Sequence, residues 1–303
     1  MNMVRAGSRG SPLALIQTRE FLGLLGHGQE VVIATTGDAV QDRPLAAIGG
    51  KGLFAKEIHE ALLDGRIDCA VHSLKDLETE LPPGIVLGCV LKREDPRDVL
   101  ILPEPVAAIG DDPLAVLPRG SVVGTSSVRR QAQLLHRRPD LKVAAIRGNV
   151  QTRLRKLREG ACHATLLALA GLKRLGMDLP EAVMLEPDIM LPAAAQGIIG
   201  VTVRAADADF LAALATIDDK AARVAATAER AVLGVLDGSC RTPIGAHAHV
   251  LANGTVNLTG LVARGDGSFL LRRSLSGPAG DAVRLGEMLG HSLRADSPAD
   301  LFG

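Results

Sequence analysis

The chain has 303 residues, enough for two or three domains, and its 47% hydrophobic content is ample for buried cores. Its 34 Lys and Arg balance 34 Asp and Glu, so no global field draws it to nucleic acid or an anionic membrane, and any basic site must be local. With no Trp, no Tyr and five Phe, it also lacks the stacking platforms of a single-strand binder. No stretch reaches the roughly 18 apolar residues that a spanning helix needs. Met1-Asn2-Met3-Val4-Arg5 carries no apolar signal region, so the cytoplasm is the expected compartment.

Val4 to Ala6 reads as a short strand that turns through Gly7-Ser8-Arg9-Gly10 into a helix over about Pro12 to Leu25. Ser11 at the N-cap and Pro12 at the first helical position are start signals. Arg9 then stands just before a positive helix end, an anion-binding arrangement. Glu30 to Ala34 reads as the next strand, ending at Thr35-Thr36-Gly37-Asp38. Gly49-Gly50-Lys51-Gly52 opens a helix from about Leu53 to Leu63, without the spacing of a phosphate loop. The chain is organised around the stretch from Gly65 to Asp76. There the apolar, partly β-branched run Ile67-Asp68-Cys69-Ala70-Val71 empties into His72-Ser73-Leu74-Lys75-Asp76. Sheets of α/β proteins bind ligands beyond the carboxyl ends of their strands. A lysine and an aspartate side by side there can hold an anionic group and handle a proton. The competing reading is a solvated turn with a surface charge pair.

Ile85 to Val90 gives another strand, Arg93-Glu94-Asp95-Pro96-Arg97-Asp98 interrupts the pattern, and Val99 to Leu102 resumes it. Prolines at 103, 105, 113 and 118 place a boundary or hinge near residues 95 to 105. The strand-then-helix logic then repeats. Ser121 to Val123 leads into Gly124-Thr125-Ser126-Ser127 and a helix carrying Arg129 and Arg130. Leu141 to Ile146 leads into Arg147-Gly148-Asn149, with Asn149 capping a helix to about Arg158. Two such turns offer hydroxyls or an amide, helix-end N–H groups and arginines, which suits a ligand bearing several carboxylates or phosphates. Arg155, Lys156 and Arg158 read as a solvated face. A third strand, Thr165 to Leu169, feeds Ala170-Gly171-Leu172-Lys173-Arg174.

From Leu191 the chain is expected to return to the first unit through Pro192-Ala193-Ala194-Ala195-Gln196-Gly197 and the strand Ile198 to Val203, making a cleft between two α/β lobes. An alanine-rich helix over about Lys220 to Leu236 precedes three strands, Ala246 to Leu251, Val256 to Ala263 and Phe269 to Leu275. These are joined by turns at Asn253-Gly254 and Asp266-Gly267, and a helix from about Asp281 to Leu293 comes after them. The four cysteines have no Cys-x-x-Cys spacing, and no metal site is expected. Cys69, Cys89 and Cys162 read as small buried hydrophobes. Cys240 lies in the polar turn Asp237-Gly238-Ser239-Cys240-Arg241-Thr242-Pro243, where the neighbouring arginine favours thiolate.

These motifs together resemble the porphobilinogen deaminase family, also called hydroxymethylbilane synthases, from Val4 to at least His249. The resemblance rests on Arg9-Gly10-Ser11-Pro12-Leu13-Ala14, Gly49-Gly50-Lys51-Gly52-Leu53-Phe54 and His72-Ser73-Leu74-Lys75-Asp76. It continues through Gly124-Thr125-Ser126-Ser127-Val128-Arg129-Arg130-Gln131, Arg147-Gly148-Asn149-Val150, Ala170 to Gly176, and Gly238-Ser239-Cys240-Arg241-Thr242-Pro243-Ile244-Gly245. The fold it implies is α/β. Two lobes like those of periplasmic binding proteins, with mixed sheets, flank a cleft. A small C-terminal α+β domain adds a three-stranded antiparallel sheet with helices. The expected division is 1–98 with 196–215, then 99–195, then 216–303.

The activity implied is a transferase that condenses four porphobilinogen molecules head to tail with loss of ammonia, giving the linear tetrapyrrole hydroxymethylbilane. The cofactor implied is a dipyrromethane held by a thioether to Cys240. By similarity Arg9, Ser11, Lys75, Thr125, Ser127, Arg129, Arg130, Arg147, Arg153, Arg174 and Gln196 bind the acid arms of substrate or cofactor, and Asp76 is the catalytic carboxylate. A monomer with a small-molecule substrate, and no nucleic-acid or membrane partner, is expected. The chain departs from the family pattern at Ala47, Glu78, Ala195 and Thr202, where a basic residue, proline, glycine and glutamate are usual. An arginine-lined two-lobed protein also describes a ligand receptor that performs no chemistry. A nucleic-acid binder using Arg147 to Arg158 is the weaker alternative, given the neutral net charge.

Overall fold

The computed structural model describes residues 3–36, 55–106, 110–236 and 242–302. Two compact units divide the chain, one of Met1–Glu94 with Gly197–Ala226 and the other of Asp95–Gln196 with Thr227–Gly303. The first unit is therefore discontinuous in sequence. Asp38, Ala47, the glycine-rich stretch Gly49 to Phe54 and the loop Asp237 to Arg241 with Cys240 lie outside the described residues.

In the first unit, strands β1 (Arg5–Ser8), β2 (Gln29–Val32), β3 (Cys69–Ser73), β4 (Ile85–Val90) and β10 (Ile199–Arg204), numbered along the whole chain, form one sheet in the order β2-β1-β3-β10-β4. The first three are parallel, and β10 runs antiparallel to both β3 and β4. Parallel neighbours need crossovers, and helices α1 (Pro12–Leu25) and α2 (Lys56–Leu63) lie on them. Ser11 accepts from Ala14 N at 3.3 Å to start α1, and Gly26 at φ 84° ends it by donating to Leu22 O. Cys69 and Val71 pack with Phe21, Cys89 and Ile199, while the intervening Ala70 packs with Ile58, Leu62 and Ile67. A strand covered on both faces reads as an unbroken apolar run, which accounts for the sequence around β3.

In the second unit, β5 (Asp98–Ile101), β6 (Val122–Gly124), β7 (Lys142–Ala144), β8 (Ala164–Ala168) and β9 (Ala182–Leu185) form a sheet in the order β7-β6-β8-β5-β9. β6, β7 and β8 are parallel, and β5 is antiparallel to both of its neighbours. Helices α3 (Val128–Arg137), α4 (Val150–Arg158) and α5 (Leu169–Arg174) come after the three parallel strands. The expected strand Thr165 to Leu169 ends one residue early, because Leu169 already begins α5. β9 had no counterpart in the sequence reading, since four residues with Met184 exposed between buried Val183 and Leu185 are too short for a clear period. Helix α6 (Ala208–Leu214), in the first unit, was equally unforeseen.

Helix α7 (Lys220–Leu236) leads to an antiparallel sheet of β11 (Ile244–Val250), β12 (Thr255–Ala263) and β13 (Leu270–Pro278), covered by helix α8 (Ala282–Ala295). Leu289 and Leu293 of α8 sit against Gly260 of β12. The fold class is thus mixed α/β, with two five-stranded sheets and a separate three-stranded C-terminal sheet. No helix among the described residues is long and apolar enough to cross a membrane.

Candidate active site

Because β1 and β3 are adjacent and parallel, the turns after them lie on one edge of the first sheet. That edge receives Arg9 and Ser11 from one turn and Lys75 and Asp76 from the other. Ser11 is occupied as the α1 cap. Arg9 and Lys75 are half-buried, and Asp76 is exposed at the end of a single 3-10 turn, Leu74–Asp76. The residues just before are fastened: His72 Nε2 is 2.9 Å from Thr202 Oγ1, and Ser73 Oγ donates to Gln17 Oε1 at 3.0 Å. Burial, with a smaller push from His59, brings the His72 imidazole pKa down to about 3, so the ring is neutral at ordinary pH. The His59 ring lies 6.1 Å from it and is also shifted down by burial, against an upward pull from Glu78.

The second sheet repeats the arrangement. The ends of β6, β7 and β8 bring Thr125, Ser127 and the start of α3, then Arg147 and the start of α4, then α5, to one edge. The hydroxyls shape the turns. Thr125 Oγ1 accepts from Ser127 N at 3.1 Å, and Ser127 Oγ accepts from Arg130 N at 3.4 Å as the cap of α3. Asn149 caps α4 through Thr152 N. Arg153, on the first turn of α4, donates to Gly148 O at 2.9 Å. Arg174 sits half-buried at the far end of α5. Arg155 and Arg158 are exposed, Arg155 pairing with Glu159, as a solvated face requires, but Lys156 is half-buried and donates to Arg147 O at 3.2 Å.

Arg129 and Arg130 lie deeper than the sequence reading placed them. Both are buried at 5% exposure, and both pair with the fully buried Asp98 at the start of β5, at 2.8 and 2.7 Å. Arg129 Nη1 also donates to Leu191 O, and Arg130 Nη1 to Leu166 O. Gln196 Nε2 donates to Asp98 Oδ1 at 2.8 Å and to Pro96 O at 2.6 Å. Burial alone would push the Asp98 carboxyl up. The two guanidinium groups and these hydrogen bonds outweigh it and hold the carboxyl well below the usual carboxylate range.

Sequence reasoning missed Asp98, which it took for part of a charged interruption. An acid opening an otherwise apolar strand was the available signal. It also missed Glu229, fully buried in α7, whose carboxylate accepts from Ala195 N and Ala248 N at 2.5 and 2.6 Å. Glu229 falls on the same helical stripe as the buried Ala225, Val232 and Leu236, and that spacing could have marked it.

Cys69, Cys89 and Cys162 are buried free thiols. Burial pushes Cys69 well above the usual thiol range, Cys89 up to about 12, and Cys162 upward.

The fold is mixed α/β, with cationic side chains gathered in the turns after the parallel strands of each five-stranded sheet. The family model "Porphobilinogen deaminase, dipyromethane cofactor binding domain" matches residues 4–212, and "Porphobilinogen deaminase, C-terminal domain" matches residues 223–295. The porphobilinogen deaminase of Paracoccus denitrificans is 50% identical over 99% of this chain and 96% of its own length. The chloroplastic porphobilinogen deaminase of Oryza sativa subsp. japonica is 48% identical over 100% of this chain and 86% of its own. That of Syntrophotalea carbinolica is 47% identical over 96% of this chain and 92% of its own. The chain belongs to the porphobilinogen deaminase family.

Proposed function

We propose that this protein condenses four molecules of porphobilinogen head to tail, releasing one ammonia at each addition, and frees hydroxymethylbilane by adding water. Family membership supports the reaction, and the carrying observation is the pair of sheet edges, each lined by strand-to-helix turns with cationic side chains. Porphobilinogen bears an acetate and a propionate arm on each ring, so a growing chain presents many carboxylates. Arg9, Ser11, Lys75, Thr125, Ser127, Arg147, Arg153 and Arg174 bind those arms, while Gln196, fully buried with its amide nitrogen given to Asp98 and Pro96, supports the site from behind. Arg129 and Arg130 contribute as a buried pair.

A dipyrromethane fits the same donor set, since its rings carry the same acid arms. When bound, it supplies the carbon to which substrate units are joined. Its thioether is assigned to Cys240, since the other three thiols are buried and shifted away from the thiolate form. Asp76 accepts hydrogen bonds from the pyrrole N–H of the substrate. Its negative charge stabilises the cationic methylene-pyrrole that forms as the C–N bond breaks and ammonia departs.

Domain boundaries at 1–98 with 196–215, 99–195 and 216–303 are proposed, each domain holding one sheet except that β5 of the second sheet already begins at Asp98. Net charge zero and the scarcity of aromatics favour a protein that binds neither nucleic acid nor an anionic membrane, and a monomer working in the cytoplasm is proposed with it from the family resemblance.

Intact mass spectrometry tests the assignment of the thiol. The purified protein should carry a dipyrrole adduct, and Cys240→Ser should fold without one. In enzyme supplied with preassembled cofactor, Asp76→Asn should slow single-turnover ammonia release by about a hundredfold or more. An unmodified mass in protein that makes tetrapyrrole, or near-normal release by Asp76→Asn, would overturn the corresponding assignment.

A further inference from the structure

Three successive residues leading into the Lys75-Asp76 turn are held from three directions within one unit. His72 hydrogen-bonds Thr202, and Ser73 hydrogen-bonds Gln17. Leu74 N donates to Ile198 O at 2.9 Å. The fully buried Leu74 side chain lies over Gly200: a Cβ there would come within 2.8 Å of Leu74 Cδ1 and 3.1 Å of Leu87 Cδ1. Gly200 and Thr202 are two apart on β10, so they share one face, and the register sets Gly200 opposite His72 and Thr202 opposite Ala70. His72 and Thr202 are thus diagonal neighbours on that face.

Beyond these fastenings the turn is short. Its three residues have no side-chain cap, Leu77 N closes it on Leu74 O at 3.2 Å, and Asp76 is exposed. The direction in which the Asp76 carboxylate leaves the sheet therefore depends on what holds residues 72 to 74. A misplacement of about 1 Å in a reacting group can cost on the order of a hundredfold in rate.

We propose that Gly200 and Thr202 of β10 are positioning residues for the reaction, fixing the angle of the Lys75-Asp76 turn through Leu74 and His72. The inference rests on the reading of Asp76 as the catalytic carboxylate. Gly200 leaves the one space into which Leu74 fits, and Thr202 holds the imidazole from which the turn is suspended. Neither touches substrate on this account.

The test uses holoenzymes and reads kcat, the KM for porphobilinogen and single-turnover ammonia release. Thr202→Val keeps the shape and removes the hydroxyl, while Thr202→Ser keeps the hydroxyl. Gly200→Ala pushes on Leu74, and Leu74→Val in the same chain removes the atom it would strike. Thr202→Val and Gly200→Ala should each lower ammonia release about tenfold, with KM within about twofold, because the carboxylate is displaced while binding is spared. Thr202→Ser and the Gly200→Ala/Leu74→Val double variant should recover most of the rate, which loss of packing alone would not do.

Wild-type release by Thr202→Val and Gly200→Ala, beside an inactive Asp76→Asn, would overturn the positioning role and leave the Asp76 assignment intact. A lowered melting temperature with unchanged kcat would overturn it too, since that outcome is packing without positioning. Near-normal release by Asp76→Asn would remove both. Should Gly200→Ala fail to fold, the Thr202 pair decides alone.

Discussion

Asp98 has one carboxylate facing two guanidinium groups, so the buried group of three carries a formal excess of one positive charge. That excess gives the second sheet edge a cationic character that does not depend on mobile surface side chains. It also makes Asp98 a risk to the fold. Removing one partner of a buried ion pair typically costs about 3–5 kcal/mol, because the other charges are left without compensation. Asp98→Asn, which leaves two arginines facing an amide, should destabilise the protein by an amount in this range, read by denaturant titration.

The pH dependence has a definite sign. The folded-state carboxyl of Asp98 is held below its ordinary 3.8, so its stabilisation is complete above that value and is lost as pH falls below it toward the folded value. Wild type should therefore lose stability faster than Asp98→Asn as pH falls below about 4, and parallel curves there would contradict the assignment. Two of the unusual residues noted in the sequence, Glu78 and Thr202, act on neighbouring histidines, the buried His59 and the half-buried His72. The exit of the Lys75-Asp76 turn thus carries a carboxylate that acts on His59 where the family usually has a proline.

At the scale of elements, the segment returning to the first sheet carries a conformational cost. Ala195 adopts φ 60°, the left-handed region, which an L-residue with a Cβ occupies at about 1–2 kcal/mol. Glu229 holds it there by accepting from its N–H, and the next glycine, Gly197 at φ 88°, leaves no room for a side chain against Glu94 O. Ala195→Gly relieves that cost but loses a buried methyl, worth about 0.8 kcal/mol, and frees the unfolded chain by about 0.5–1 kcal/mol. The terms nearly cancel. The substitution should shift stability by less than about 1 kcal/mol, and a loss well beyond that would show that the left-handed conformation is unstrained.

Elements with local signals were legible in the sequence. Ser11-Pro12 and Asn149 marked helix starts, and Asn253-Gly254 and Asp266-Gly267 marked the hairpins, because caps and turns are written in adjacent residues. The stretch from Arg93 to Asp98 was not. The partners of Asp98 stand more than thirty positions away, at Arg129, Arg130 and Gln196, and such pairings leave no periodicity to read. The depth of Arg129 and Arg130 escaped for the same reason: a helix start looks alike whether its arginines meet solvent or a buried acid.

For the whole molecule, the division of the chain governs what can stand alone. β3 and β4 meet only through β10, which comes from beyond the second unit's first stretch. A fragment ending at Glu94 should therefore expose two unpaired strand edges and aggregate, and supplying residues 197–226 in the same chain through a short linker should restore a cooperative fold. A stable, monomeric fragment 1–94 would contradict the role given to β10. The same feature fixes a timetable during synthesis. About a hundred residues intervene before β10 is made, which at about 5–20 residues per second is roughly 5–20 s on the ribosome. Throughout that interval the nascent chain already contains Lys75 and Asp76 but not the strand that aims them. The intervening sheet can close first, so the part of the protein made earliest is among the last to be finished, and it is this waiting segment that a nascent-chain chaperone would have to shield.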